Sequence, residues 1–345
     1  MGNPFNISFG KEPTRLIART SQINTVIETF RSENPSTQAY MITGVRGAGK
    51  TVTMTHIEHE LAKDPDWITV PLNPNMNLLE GLASHLCLHK ELAASFITAD
   101  INISIFNMSA SVSTNMPPAT VEVQLLKMLK IVKKMGKKVL ITIDEVVKNQ
   151  QMIEFASSFQ TFVREDYPVF LLMTGLFENI RNLQNTNTLT FLYRTPRIDL
   201  KPLGIIGMSN DYKEVFGISS AEAEEMARFT KGYPYAFQTL GYLKWEENDG
   251  LNKIIPRFDS MMEDFVYDKI WSELSEGDKK VLAAIAKNGG RMKTKEVQIE
   301  TGNTSSSFST YRKRLMEKGL IDTSDYGYVE LTLPRFGEII NAWNY

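Results

Sequence analysis

The stretch Ala39-Tyr40-Met41-Ile42-Thr43-Gly44-Val45-Arg46-Gly47-Ala48-Gly49-Lys50-Thr51-Val52 decides the fold. A short apolar run enters a turn with glycine at 44, 47 and 49, and an amphipathic segment carrying Ile57 and Leu61 follows. The pattern G-x-x-x-x-G-K-[ST] between a strand and a helix is that of a phosphate-binding loop. Glycine lets the backbone wrap closely, so the N–H groups from Gly44 through Val45, Arg46, Gly47, Ala48 and Gly49 to the helix start at Lys50, Thr51 and Val52 are expected to face phosphate oxygens. Lys50 is expected to meet the β and γ phosphates, and the Thr51 hydroxyl to ligate Mg²⁺. The bland alternative is an ordinary glycine-rich turn, and the strand and helix on either side argue against it.

Two further runs share the strand's character. Lys138-Val139-Leu140-Ile141-Thr142-Ile143 leads into Asp144-Glu145, and Val169-Phe170-Leu171-Leu172-Met173-Thr174 leads into Gly175. Short, apolar and punctuated at the C-terminal end, they predict buried parallel strands covered by helices, an α/β core. Functional groups of such sheets collect at the strands' C-terminal ends. There Asp144 is expected to hold the Mg²⁺ shell, and Glu145 to orient and deprotonate an attacking water. A pair of acids at a helix N-terminus is the alternative, but two acids beside a phosphate loop favour hydrolysis over binding alone. Alternation in Asp100–Ile105 and Ser109–Ser113 predicts a small inserted hairpin.

Composition narrows the classes. The 345 residues, 42% hydrophobic and 23% charged, predict two or three conventional globular units. With 38 basic and 40 acidic residues the net charge is −2, so any nucleic acid must meet a local patch. One cysteine, Cys87, and no long apolar run predict a cytoplasmic protein with no membrane partner. His85-Leu86-Cys87-Leu88-His89 spaces its soft ligands badly for one helix face and is read as packing rather than zinc.

From about Gly204 helical patterns take over. Ser219-Ser220-Ala221-Glu222 is a capping-box signal, Gly232-Tyr233-Pro234 punctuates, and Ser275-Glu276-Gly277-Asp278 opens another helix. Predicted helices Ser275–Gly289, Thr294–Thr301 and Thr304–Lys318, with short strands around Asp325-Tyr326-Gly327, have helix–turn–helix spacing followed by a wing. The third helix carries small hydroxyls, then Arg312, Lys313 and Arg314, which suit duplex phosphates. Eleven Lys and Arg against ten Asp and Glu in residues 272–345 leave this unit almost neutral, so a structural or protein-binding winged helix stays open.

These motifs together resemble the AAA+ and STAND ATPases, and among them the prokaryotic relatives of origin-recognition initiators with a C-terminal winged helix. The resemblance runs over nearly the whole chain and implies ATP and Mg²⁺ as ligands. It makes Phe9-Gly10-Lys11-Glu12-Pro13 the segment bordering the adenine, Thr174 a sensor of the γ-phosphate or water, and Arg194 or Arg197 an arginine finger acting in cis or on a neighbouring subunit. Gly232-Tyr233-Pro234 is similar to the Gly-x-Pro signature of STAND lids, in which Pro234 would pack near the base. The expected organisation is a P-loop core over 1–200, a helical lid over 201–271 and a winged helix over 272–345. The expected function is an ATPase switch coupling nucleotide state to double-stranded DNA. The alternative is a signalling scaffold with protein partners, and ATP-dependent self-association fits either.

Overall fold

A computed structural model describes residues 2–8, 13–15, 17, 19–99, 101, 118–186 and 189–343. The hairpin expected over 100–113 lies outside them, apart from Ile101. The chain divides into two compact units, one of Thr20–Thr43 and Lys50–Asp199, the other of Met1–Arg19, Gly44–Gly49 and Leu200–Tyr345.

The first unit holds a five-stranded parallel sheet, β1 Ala39–Thr43, β2 Trp67–Leu72, β3 Lys138–Ile143, β4 Val169–Gly175 and β5 Arg197–Asp199, in the order β2-β3-β4-β1-β5. Three strands match the apolar runs. β2 shows no such run because Pro71 interrupts its pattern, and the proline is tolerated because β2 is an edge strand. Both faces of the sheet are covered, as its near-continuous apolar strands require. Tyr40, Trp67 and Phe170 pack with Phe30 of helix Thr20–Arg31 on one side. The alternate residues Met41, Ile141, Leu171 and Met173 join Leu82, Leu125, Phe155 and Phe159 in a second apolar layer. The decisive topological fact is that β4 lies between β1 and β3, with Ile42 level with Thr174 and Ile143 level with Met173. The ends of the first and third strands are thus bridged by the end of the fourth.

The second unit is helical, with a small antiparallel sheet near its C-terminus. Ser219 caps helix Ser220–Phe229 through its side chain, and Ser275 and Asp278 form a full capping box before helix Glu276–Lys287. Helices Thr294–Thr301 and Ser305–Glu317 follow, separated by Gly302 at φ 68°, a left-handed turn that glycine adopts without strain. Strands β6 Arg291–Lys293, β7 Ile321–Asp322 and β8 Tyr328–Leu331 pair in the order β6-β8-β7, completing a winged helix.

Lid and winged helix share one apolar core. Helix Leu251–Met262 continues through the π-helical turn Glu263–Tyr267 into Asp268–Ser272. The wider turn shifts the helix phase, and Tyr267, Ile270 and Trp271 all end up buried. The Tyr267 hydroxyl donates to the Pro334 carbonyl at 2.6 Å, and Arg335 forks onto Asp259 at 3.0 and 2.6 Å. Trp271, the expected joint between lid and winged helix, packs against Phe336 and Trp343.

Candidate functional site

The ends of β3 and β4 bring the expected acid pair into one hydrogen-bonded cluster. Asp144 follows β3 directly, and its Oδ2 accepts from the Thr51 hydroxyl at 2.7 Å. Its Oδ1 accepts from the Thr174 hydroxyl. The Glu145 N–H reaches both Asp144 Oδ1 and Thr174 Oγ1 at 3.1 Å, and Val146 N–H donates to the Thr174 carbonyl at 2.8 Å. Thr174 is fully buried, so its hydroxyl works inside the cluster as donor to one acid and acceptor from the backbone of the other. Glu145 takes φ 51°, a left-handed conformation that costs a non-glycine residue about 1–3 kcal/mol. The three hydrogen bonds around its peptide hold it there, and its side chain is exposed. Thr51 and Asp144 together offer hard oxygen donors of the kind Mg²⁺ selects, and both are half-buried. Lys50, the first residue of helix Lys50–Ala62, is buried, and Val52 in the same first turn is half-buried.

A third acid adjoins this cluster. Glu58 accepts from the Thr142 hydroxyl, and burial raises its pKa, with the Asp144 charge adding to the rise while the Thr142 hydrogen bond and His59 oppose it. Its place on the helix after the glycine turn is visible in the sequence, but its partner on β3 is not. Asp199 was missed in the same way: at the end of β5 it accepts from the Thr43 hydroxyl and is clasped by Arg197 at 2.9 and 3.2 Å.

In the second unit the loop Gly44–Gly49 is held from its carbonyl side. The Tyr233 hydroxyl donates to the Arg46 carbonyl, and Arg19 donates to the Ala48 carbonyl at 2.9 Å and to the Lys201 carbonyl. In a planar trans peptide, C=O and N–H point in opposite directions. Fixing the carbonyls of Arg46 and Ala48 therefore turns the N–H groups of Gly47 and Gly49 away from Tyr233 and Arg19. Gly47 and Gly49 have φ 76° and 85°. A Cβ at 47 would lie 2.1 Å from the Tyr233 hydroxyl oxygen, so glycine is required there by space as well as by conformation. Pro234 Cβ is 4.0 Å from where a Cβ on Gly49 would sit, which puts the Gly232-Tyr233-Pro234 signature on the loop. Burial, and secondarily Tyr235, push the Tyr233 hydroxyl far up, so it stays a donor, while burial lowers Arg19 to about 10. Pro13 is half-buried, and Phe9–Glu12 lie outside the described residues.

The basic residues differ in their surroundings. Arg194 is exposed at the end of helix Thr190–Arg194. Arg197, paired with Asp199, also lies 4.3 Å from the Phe177 ring centroid. In the winged helix the expected triplet divides. Arg312 and Lys313 are exposed, but Arg314 points inward, 2.9 and 2.7 Å from Oδ1 of Asp278, whose side chain is 1% exposed, and 2.8 Å from the Ser275 hydroxyl. The expectation that Arg314 meets duplex phosphate is corrected: this guanidinium neutralises a buried carboxylate. One helix turn is 3.6 residues, so three adjacent cations cannot share a face. Among the described residues no group of three or more His, Cys, Asp or Glu could hold a metal ion, which includes His85, Cys87 and His89, and burial pushes the Cys87 thiol up to about 11. No helix among the described residues is long and apolar enough to cross a membrane.

Comparison with known proteins bears on the fold. A family described as a domain of unknown function, DUF8462, matches residues 264–340, from the π-helical turn through most of the last helix. No curated protein sequence matches. Among solved structures, the chain is similar to the Walker-type ATPase PABY2304 of Pyrococcus abyssi, at 12% identity and TM-score 0.63 over 94% of this chain and 96% of that one. It is also similar to Cdc6p of Pyrobaculum aerophilum and to the ORC2 protein of Aeropyrum pernix in its ADP form. Each of these two shows 13% identity and TM-score 0.52, covering 97% of this chain and 96% of its own. At such identities the likeness is one of fold, and the fold is that of a P-loop ATPase with helical segments and a C-terminal winged helix, over nearly the whole chain.

Proposed function

We propose that this chain is a Mg²⁺-dependent ATP-binding and ATP-hydrolysing switch that couples nucleotide state to duplex DNA binding through its winged helix. The observation that carries the reading is the cluster of Thr51, Asp144, Glu145 and Thr174 at the end of the parallel strands. Bound Mg²⁺ would neutralise phosphate charge, and Thr51 and Asp144 would hold it. Thr174 keeps Asp144 and the Glu145 backbone in register, leaving the exposed Glu145 carboxylate to take a proton from water. Lys50 supplies positive charge at the start of its helix, and the N–H groups of the loop add their dipoles. The adenine nucleotide is supported by the ADP form of the Aeropyrum pernix protein. Arg194, exposed and on a short helix, is the better arginine finger, since Arg197 is clasped by Asp199. The three-part division at about 200 and 271 remains part of this reading.

DNA binding rests on helix Ser305–Glu317, whose exposed residues include Ser305, Ser306, Ser309, Thr310, Arg312 and Lys313. One observation favours a second reading, a scaffold with protein partners: Ile299 and Tyr326 of the winged helix are 81% and 99% exposed. The test is ATP hydrolysis and duplex binding by the full chain, with and without MgATP, against Lys50→Ala. Hydrolysis lost in Lys50→Ala and duplex affinity that changes with nucleotide support the switch. Hydrolysis with no duplex binding at low salt selects the scaffold, and light scattering in ATP and ADP reports self-association.

A further inference from the structure

The tip of the phosphate loop has a second set of contacts, made by Val45 and Arg46, two of the four residues that the G-x-x-x-x-G-K-[ST] pattern leaves free to vary. Arg46 reaches Glu273 Oε1 at 3.1 Å, and Lys269 meets the same oxygen at 3.2 Å from one turn earlier. Glu273 directly follows the helix ending at Ser272 and stands two residues before the Ser275 cap of the winged helix. Val45 packs against the shared lid and winged-helix core. Its Cβ is 3.6 Å from where a Cβ on Gly319 would sit, at the turn with φ 70° that ends helix Ser305–Glu317. The loop tip therefore touches the winged helix at its entrance and at the exit of the helix carrying Arg312 and Lys313.

We propose that Val45 and Arg46 are the relay through which occupancy of the phosphate loop reaches the winged helix, with Tyr233 holding the peptide that links Arg46 to Gly47. The relay rests on the nucleotide reading above. Its mechanics follow from the peptide plane. The Gly47 N–H that would face a phosphate and the Arg46 carbonyl held by Tyr233 belong to one rigid group. An anion that reorients that N–H must move the carbonyl, and with it the backbone carrying Arg46 and Val45. Their contacts at Glu273 and Gly319 then differ between the filled and empty loop, which is the differential interaction a conformational signal requires. Because coupling between sites is reciprocal, removing the winged-helix end of the relay must change the affinity of the loop for nucleotide.

That reciprocity is the test. A fluorescent ADP analogue with Mg²⁺ is titrated into the full-length wild type and into Glu273→Gln, an ordinary half-exposed position outside the loop. A half-exposed ion pair is a modest contributor, so Glu273→Gln is expected to weaken nucleotide binding about two- to fivefold, while Glu276→Gln three residues on leaves it unchanged. In an Arg46→Gln background, Glu273→Gln is expected to have no further effect, an outcome that a merely structural role for Glu273 would not produce. Tyr233→Phe leaves the Arg46 carbonyl without its donor and is expected to weaken binding about tenfold. Wild-type binding with equal or tighter affinity in Glu273→Gln, or undiminished loss in the Arg46→Gln background, overturns the relay and leaves the nucleotide reading intact. Absence of nucleotide binding by the wild type overturns both.

Discussion

The acid cluster after β3 and the basic triplet of helix Ser305–Glu317 pose the same question, which way a charged side chain points, and the two regions answer it by different physics. At the end of a parallel strand direction is set locally. The chain must leave the sheet there, and Asp144 and Glu145 come to lie beside Thr174 because β4 is the neighbouring strand. On the helix, adjacent residues diverge by about 100°, so a run of three cations is divided by whatever the neighbouring helix offers. Helix Glu276–Lys287 offers Asp278, and Arg314 turns to it while Arg312 and Lys313 do not. In the first region Asp144 is held by the hydroxyls of Thr51 and Thr174, whereas in the second the buried Asp278 carboxylate is met by a guanidinium.

The sharpest way to break that contrast is at Glu145. Glu145→Gln preserves shape and removes the proposed base, so on that reading ATP turnover should fall by a factor of about 10² or more with little loss of nucleotide binding. Turnover at the wild-type rate would mean that the exposed carboxylate is not poised for water at all. Next in size is Arg314→Leu, read as thermal or urea unfolding. It leaves the Asp278 carboxylate, 1% exposed, without its cation, while the Arg314 side chain is itself 36% exposed and Ser275 still donates to Asp278, so the cost should be about 1–3 kcal/mol, the scale for a buried acceptor that loses a partner. A loss under about 0.5 kcal/mol, the range of ordinary surface substitutions, would return Arg314 to the solvent-facing class. Smaller again is the double variant Arg312→Ala with Lys313→Ala. If both cations meet phosphate, duplex affinity should fall and its dependence on log salt should flatten by about 1 for each residue.

What could be seen in advance follows the same division. The glycine turn after β1, the place of Asp144 and Glu145 at the end of β3, and three of the five strands were legible because each is a local pattern in which glycine, apolar run and acid are neighbours in the chain. β2 was hidden by Pro71, whose tolerance depends on an edge position known only from topology. The winged helix was legible from spacing and caps, yet the fate of Arg314 was not, since it depends on Asp278, 36 residues away. Tyr233 illustrates both sides. Its motif was visible, but the hydrogen bond to Arg46, 187 residues distant in sequence, belongs to the tertiary fold.

The smallest predicted effect concerns Glu58, which tests whether the acid cluster carries tension before any cation arrives. Burial, aided by repulsion from Asp144, raises the Glu58 pKa above its ordinary value. A carboxyl whose pKa is higher in the folded state binds its proton more tightly there than in the unfolded chain. Its stabilising contribution is therefore complete below the unfolded pKa of about 4.5, and it is lost as pH rises through the folded value. Glu58→Gln keeps an acceptor for the Thr142 hydroxyl but carries no charge to desolvate. Between pH 4 and pH 7 the urea midpoint of the variant should thus rise relative to wild type, by less than any change above. Added Mg²⁺ should shrink the difference if the ion sits at Thr51 and Asp144, because it offsets the negative charge that repels Glu58. A gap between variant and wild type that is flat across this pH range would show that the carboxylate is solvated, and that the cluster ends at Asp144.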